Sequence, residues 1–457
     1  MRLIPFLFLF VLVACGAAPK GTVSMASPGL DAVTNTPAAV LAFAPMHGQA
    51  PLRPNDQIAA DFLDLEFRME SGLSLPRLTR FEGPISIRLS GAVPQGAASE
   101  VARLIARLRA EAAIDLRPAA PGQNAAITVE FVAKAALQRL EPSAACFVAP
   151  NVSSLREFRA QRGTAALDWH GLTRRDRVAI FVPGDTSPQE VRDCLHEEIA
   201  QALGPLNDLY RLPDSVFNDD NFQSVLTGFD MLMLRLHYAP ELTSGMSEAE
   251  VAARLPGIVA RLNPGGQYPG GWISPDTPRV WLQAVSLALG PGTPKSACLP
   301  AAQRMLAIAQ DQGWTDNRLG FAWFALGRLQ APDDPAAAER SYTAAARIYA
   351  GLPDDGVHLS HALMQLSAIA LASGRPDQAI ALCDQALPLA RRGQNAALLA
   401  SLQLIKAASL ALLGRDAEAQ ALRLDSLPAA RYGFGGEPAV RARAAEIAAL
   451  AARSSGG

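Results

Sequence analysis

Residues 194–208 read Cys-Leu-His-Glu-Glu-Ile-Ala-Gln-Ala-Leu-Gly-Pro-Leu-Asn-Asp, and the fold of the first half of the chain is decided by how they are read. Ser187-Pro188 upstream supplies a capping residue followed by proline at the first helical position, so a helix starts there. On that helix Glu197 and Gln201, four apart, share a face. Gly204 permits a bend that brings Asn207 or Asp208 over them. Such a set offers oxygen donors only, which suits Ca, Mg or Mn better than Zn. The alternative is a hydrogen-bonded polar cluster of Glu197, Gln201, Asn207 and Ser215 that holds no ion. His196 is rotated about 100° from Glu197 and is expected to point away.

Around this helix the periodicity predicts an α+β layer. An apolar helical face begins at Asn55 (Ile58, Phe62, Leu65, Phe67) and is expected to end at Gly72. Strands are expected at 84–89, 126–132, 145–149 and 177–183, and an amphipathic helix at 98–113. Five cysteines are present. Leaving aside Cys15, the other four permit three connectivities, which sequence does not separate. Cys146 with Cys194 is the expected pair, because it staples a strand to the central helix; Cys298 and Cys383, in the helical half, are either buried free thiols or a second pair.

Aligned on Ala202-Leu203-Gly204, the opening stretch resembles the active-site helix of metzincin-type zinc peptidases, H-E-x-x-H-x-x-G-x-x-H. The resemblance places Glu197, Gln201 and Asn207 at the three His positions and Glu198 at the general base. The order of strands and helices before it is also theirs. Residues 213–217 stand where those enzymes have a Met turn, with Phe217 for the Met, and 226–238 resemble their closing helix. Residues 56–262 as a whole resemble a family of bacterial lipoproteins of unknown function. That likeness rests on Cys194, Glu197 to Gly204, Asn207-Asp208 and Ser215 to Asp219.

At the start of the chain, Met1-Arg2 and the apolar run 3–13 read as a signal peptide. Leu12-Val13-Ala14-Cys15 resembles a lipobox, which implies lipidation of Cys15 and, with Gly16 next, an outer-membrane anchor facing the periplasm of a bacterial envelope. The expected organisation is a signal peptide over 1–15, a tether over 16–54 and a zincin-like domain over 55–262. A linker over 263–278 and a helical repeat domain over 279–453 complete it. In the last part, 374–379 and 414–419 repeat the form Gly-Arg-x-x-x-Ala. Ala338, Ala379 and Ala419 align at a period of about forty residues, which resembles tetratricopeptide repeats and implies protein partners.

A formal charge of −2 gives no electrostatic case for nucleic acid. Asp219-Asp220 reads as a solvated turn and His358 with His361 as a surface pair. His170, His196 and His237 have no metal-ligand spacing. The function expected is a lipid-anchored envelope protein that binds or scaffolds. The alternative is a metal-dependent hydrolase with oxygen ligands and Glu198 as base.

Overall fold

The computed structural model describes residues 43, 50, 51, 53–270, 276–354 and 356–454. The expected signal peptide, Cys15 and most of the tether lie outside them. The chain is α+β: a sheet domain followed by an all-helical array. The sheet has five strands, β1 (Ile85–Gly91), β2 (Leu116–Pro118), β3 (Ile127–Val132), β4 (Phe147–Pro150) and β5 (Val178–Pro183), in the order β2-β1-β3-β5-β4. All neighbours are parallel except β4, which runs antiparallel to β5 at the edge. Every residue of β5 is buried, as its unbroken Val-Ala-Ile-Phe-Val run requires of a strand covered on both faces.

Helix α1 (Asn55–Glu66) ends sooner than its apolar pattern suggests. After Phe67 the chain turns back, with Arg68 bridged to Ser74 and Gly72 at φ +80° in the turn. Gly72 therefore serves a hairpin, not a helix end. Helix α2 (Ala97–Glu111) follows β1, and two short helices, α3 (Lys134–Gln138) and α4 (Leu155–Gln161), flank β4. The central helix α5 (Pro188–Leu203) lies on β5, and α6 (Gly228–His237) and α7 (Glu248–Leu262) complete the domain.

The array is built of helix pairs: α8 (Arg279–Leu289) with α9 (Lys295–Asp311), α10 (Asn317–Gln330) with α11 (Pro335–Tyr349), and α12 (Val357–Ala372) with α13 (Pro376–Arg392). Then come α14 (Ala396–Leu412) with α15 (Asp416–Phe434) and a last helix α16 (Glu437–Ser454). Ala338, Ala379 and Ala419 occupy equivalent places on α11, α13 and α15, and all three are wholly buried. Close approach is seen between α10 and α11. A Cβ on Gly320 would stand 2.4 Å from the Tyr349 ring, so the glycine is required by contact.

The two parts share a seam. The loop of residues 205–227, between α5 and α6, carries Tyr210 and Phe222 into the hydrophobic core of the array. Tyr210 meets Trp281 of α8 edge-on at 4.9 Å and Phe321 of α10 at 5.5 Å. Phe222 meets Phe324 at 5.1 Å and stacks on His361 of α12 at 4.6 Å. At the other end of α5, Gln189 accepts from Ala397 N (2.8 Å) and donates to Asn395 Oδ1 (3.0 Å) at the start of α14. Helices α8, α10, α12 and α14 thus face the sheet domain, and α15 joins them at the far end of the array.

Two expectations are corrected here. Asp220 is not a solvated turn residue: it is buried, accepts from Asn218 Nδ2 (3.0 Å) and Asn317 Nδ2, and pairs with His358 Nε2 at 2.8 Å. His358 and His361 are not a surface pair: both are buried in the seam, with Asp354 on the other ring nitrogen of His358 at 2.6 Å. Burial opposes the charge on His358, but the Asp220 and Asp354 carboxylates prevail and raise its pKa to about 10. His361, desolvated beside that cation, is held down at about 3.

Candidate functional site

Helix α5 begins as its sequence dictates, with Ser187 Oγ accepting from Glu190 N at 3.1 Å and Pro188 in the first turn. Cys194 is bonded to Cys146, just before β4, with Cα atoms 6.0 Å apart. Cys298 and Cys383 are free thiols, the first half-buried and the second buried. The C-terminal carbonyls of α5 are capped by side chains from elsewhere. Arg175, itself buried, donates to Gln201 O (2.7 Å), Ala202 O (2.9 Å) and Gly204 O. Tyr238 donates to Leu203 O at 2.9 Å. A cation at this end suits the helix dipole. Gly204 packs on the buried His237–Glu66 pair (2.8 Å); a Cβ there would lie 3.3 Å from the imidazole.

The positions singled out along the helix part company. Gln201 donates to both oxygens of Asp208, at 3.2 and 3.1 Å. Asn207 turns the other way and donates to Asp64 O on α1 at 2.9 Å. Ser215 joins neither: its hydroxyl donates to Asp230 at 2.5 Å. The backbone N–H groups of Val216 and Thr227 donate to the other oxygen of Asp230 at 3.2 and 2.7 Å. Burial raises the pKa of that carboxyl, and these hydrogen bonds oppose the rise. Phe217 is fully buried, and its N–H donates to Ser215 Oγ at 3.0 Å.

Glu197 is half-buried and lines a small cleft open to solvent. Its walls include Glu190, Asp193, Cys194, Cys146 and Gln223. Burial pushes the Asp193 carboxyl up to about 7 against the pull of Arg192. Glu198, the base that the resemblance implies, is wholly buried. One oxygen from each of Glu197 and Glu198 and the sulfur of Cys146 lie within 4.8 Å of one another.

A second group gathers behind Gln201, where oxygens of Glu70, Asp208 and Asp219 also lie within 4.8 Å of one another. Sequence reading placed Asp208 there but missed Glu70, which follows α1 by a few residues and carries no periodic or spacing signal. Neither group contains a histidine. His196 Nδ1 accepts from Leu226 N at 3.1 Å, and burial, with Arg192 and two further arginines, holds its pKa well below the usual value. His237 is committed to Glu66, and His170 bonds Ser74 O at 3.0 Å. The donors therefore do not fit zinc as peptidases hold it: imidazoles are engaged elsewhere and the Cys146 sulfur is in a disulfide. Carboxylates and an amide match a hard cation instead.

Residues 55–257 match a protein family of unknown function, DUF2927. The match begins with α1 and ends within α7, so it covers the sheet domain, both carboxylate groups and the seam loop, and none of the array. No curated protein matches the chain. Within the DUF2927 region, the motif residues are divided between two structural jobs. Cys194, Ser215 and Asn218 tie elements together, whereas Glu197, Asp208 and Asp219 present carboxylates.

Proposed function

We propose that this chain is a lipid-anchored protein of the bacterial cell envelope in which a zincin-like domain recognises a partner without cutting it. A tetratricopeptide-like array supports that domain and offers its remaining faces to other proteins. The observation that carries this reading is the dispersal of Glu197, Gln201 and Asn207 to a cleft, a carboxylate and a backbone carbonyl. A zinc peptidase needs those three positions to converge on one point. The seam adds to it: the face presented by α8, α10 and α12 is filled by Tyr210 and Phe222, so protein contacts of the array fall on its opposite face.

A metal-dependent hydrolase is the other reading. It draws on the gathering of Gln201, Asp208, Asp219 and Glu70, which would hold Ca, Mg or Mn through oxygen, while Glu198 would take a proton from water. Elemental analysis of the oxidised form comprising residues 16–457, purified without chelator, separates the two, together with peptide-cleavage assays on Glu198→Gln and on Glu70→Ala, Asp208→Ala. The binding reading expects no stoichiometric metal and no cleavage that Glu198→Gln removes. A metal lost in the double variant, with cleavage lost in Glu198→Gln, overturns it in favour of the hydrolase.

A further inference from the structure

We propose that the Cys146–Cys194 disulfide masks a metal site: reduced, the two thiolates join Glu197 and Glu198 to bind one zinc ion. The inference concerns the reduced protein and does not rest on the binding role argued above for the oxidised form.

Three donor atoms are already gathered, and a fourth is one bond away. Cys146 Sγ lies within 4.8 Å of a carboxylate oxygen from each of Glu197 and Glu198. Cys194 Sγ is bonded to it, and Cys194, Glu197 and Glu198 stand at i, i+3 and i+4 on α5, one side of the helix. Zinc holds sulfur at about 2.3 Å and carboxylate oxygen at about 2.0–2.2 Å, so tetrahedral ligands sit less than about 4 Å from one another. Cys146, Glu197 and Glu198, within 4.8 Å of one another, reach that arrangement by rotamer adjustment, and the Cα separation of 6.0 Å lets Cys194 join them, since it serves a disulfide and a shared metal alike. Cys146, Cys194 and Glu197 line the same small cleft, which opens to solvent. As a disulfide the sulfurs are poor ligands; as thiolates they supply the soft donors that this helix otherwise lacks.

The step balances as thiol–disulfide exchange. A dithiol reductant attacks one sulfur, the S–S bond breaks, and two electrons and two protons pass to the cysteines while the reductant closes to its own disulfide. Zinc then displaces both thiol protons, and two thiolates with two carboxylates coordinate it. A disulfide oxidant reverses the exchange: one thiolate attacks it, the second displaces the mixed disulfide, the oxidant leaves as its two thiols, and the bridge re-forms with loss of the ion. Buried Glu198 changes role in this cycle, from a carboxylate packed beside a disulfide to a ligand.

The test uses residues 16–457 carrying Cys298→Ser and Cys383→Ser, so that Cys146 and Cys194 are the thiols present. Oxidised and phosphine-reduced samples are titrated with Co²⁺ and then Zn²⁺. The reduced protein is expected to bind one equivalent of Co²⁺ with a thiolate-to-metal charge-transfer band and intense tetrahedral ligand-field bands, both bleached by Zn²⁺. The oxidised protein is expected to show neither. Glu197→Ala, Glu198→Gln should weaken binding at least tenfold while leaving the oxidised protein folded. Absence of charge transfer in a folded reduced protein overturns the site, as does unchanged affinity in the double variant. If reduction unfolds the domain, Zn²⁺ should restore its circular dichroism in the parent and not in the double variant; no recovery, or equal recovery in both, is also fatal.

Discussion

The sheet domain and the helical array are stabilised by opposite means. In the array, one solution is repeated: small residues at helix crossings, Gly374 and Gly414 both at φ +70° before equivalent helices, and neighbours in space that are neighbours in sequence. In the sheet domain each join is made once and spans a long stretch of chain. Examples are the bridge from Cys146 to Cys194, Arg211 to Asp61 (2.8 Å) and Asp64 (2.7 Å), and Arg80 to the carbonyls of His237 and Ala239. A repeat distributes stability, whereas single long-range joins concentrate it and make each residue specific. The seam belongs to both regimes, because residues 205–227 belong to one part by chain and to the other by packing.

The largest effect expected on that comparison comes from Phe222→Ala. The ring is buried among Phe321, Phe324, Tyr349, His358 and His361, and truncating such a core aromatic costs about 3–5 kcal/mol. If the seam makes the two parts one cooperative unit, calorimetry of the parent shows a single transition and Phe222→Ala splits it in two. A parent that already melts in two steps, unmoved by the substitution, would mean that the parts are stabilised separately.

How much of this was legible follows the same division. The array could be read because its signal is periodic: Ala338, Ala379 and Ala419 mark crossings whatever surrounds them. Four of the five strands and α5 could be read from alternation and capping, and the Cys146–Cys194 bridge from a strand facing a helix, whereas β2, three residues long, is too short to show a period. The site was legible only in part. A helix face predicts that Glu197 and Gln201 project together, but their partners come from elsewhere: Glu70 after α1, Asp64 on α1, and the loop that reaches the array. His358 and Asp220 lie far apart in sequence, and an isolated histidine on a helix looks the same whether water or another domain covers it. No local pattern encodes such a pairing.

An intermediate effect is expected from pH, again at the seam. His358 faces Asp220 from the loop and Asp354 from its own helix approach, with Tyr349 and His361 beside it. Folded, it keeps its proton up to about 10; unfolded, it loses it near 6.5. The folded chain therefore binds more protons across that window. Its contribution is whole below about 6.5 and is lost as pH rises towards 10, by at most about 1.4 kcal/mol per pH unit. His361 works in the other direction, favouring the folded state above about 6.5 and penalising it as pH falls towards 3. The expected result is that the parent loses melting temperature between pH 7 and 9 more steeply than His358→Gln does. Parallel profiles would remove His358 from the account.

The smallest effect expected tests whether the seam is held at one end or along its length. Tyr432 of α15 donates to Glu100 of α2 at 3.0 Å, far from Phe222 in the sequence, and its ring lies under Arg192 of α5 at 5.5 Å. Tyr432→Phe keeps the ring and removes one hydrogen bond to a carboxylate, a loss of about 1–2 kcal/mol. If the seam is continuous, this variant lowers the single transition slightly without dividing it, and combined with Phe222→Ala it widens the gap between the two transitions beyond the sum of the separate effects. Strict additivity would show that the α15 contact is a local ornament of the array, and would leave the loop around Phe222 as the joint on which the two parts depend.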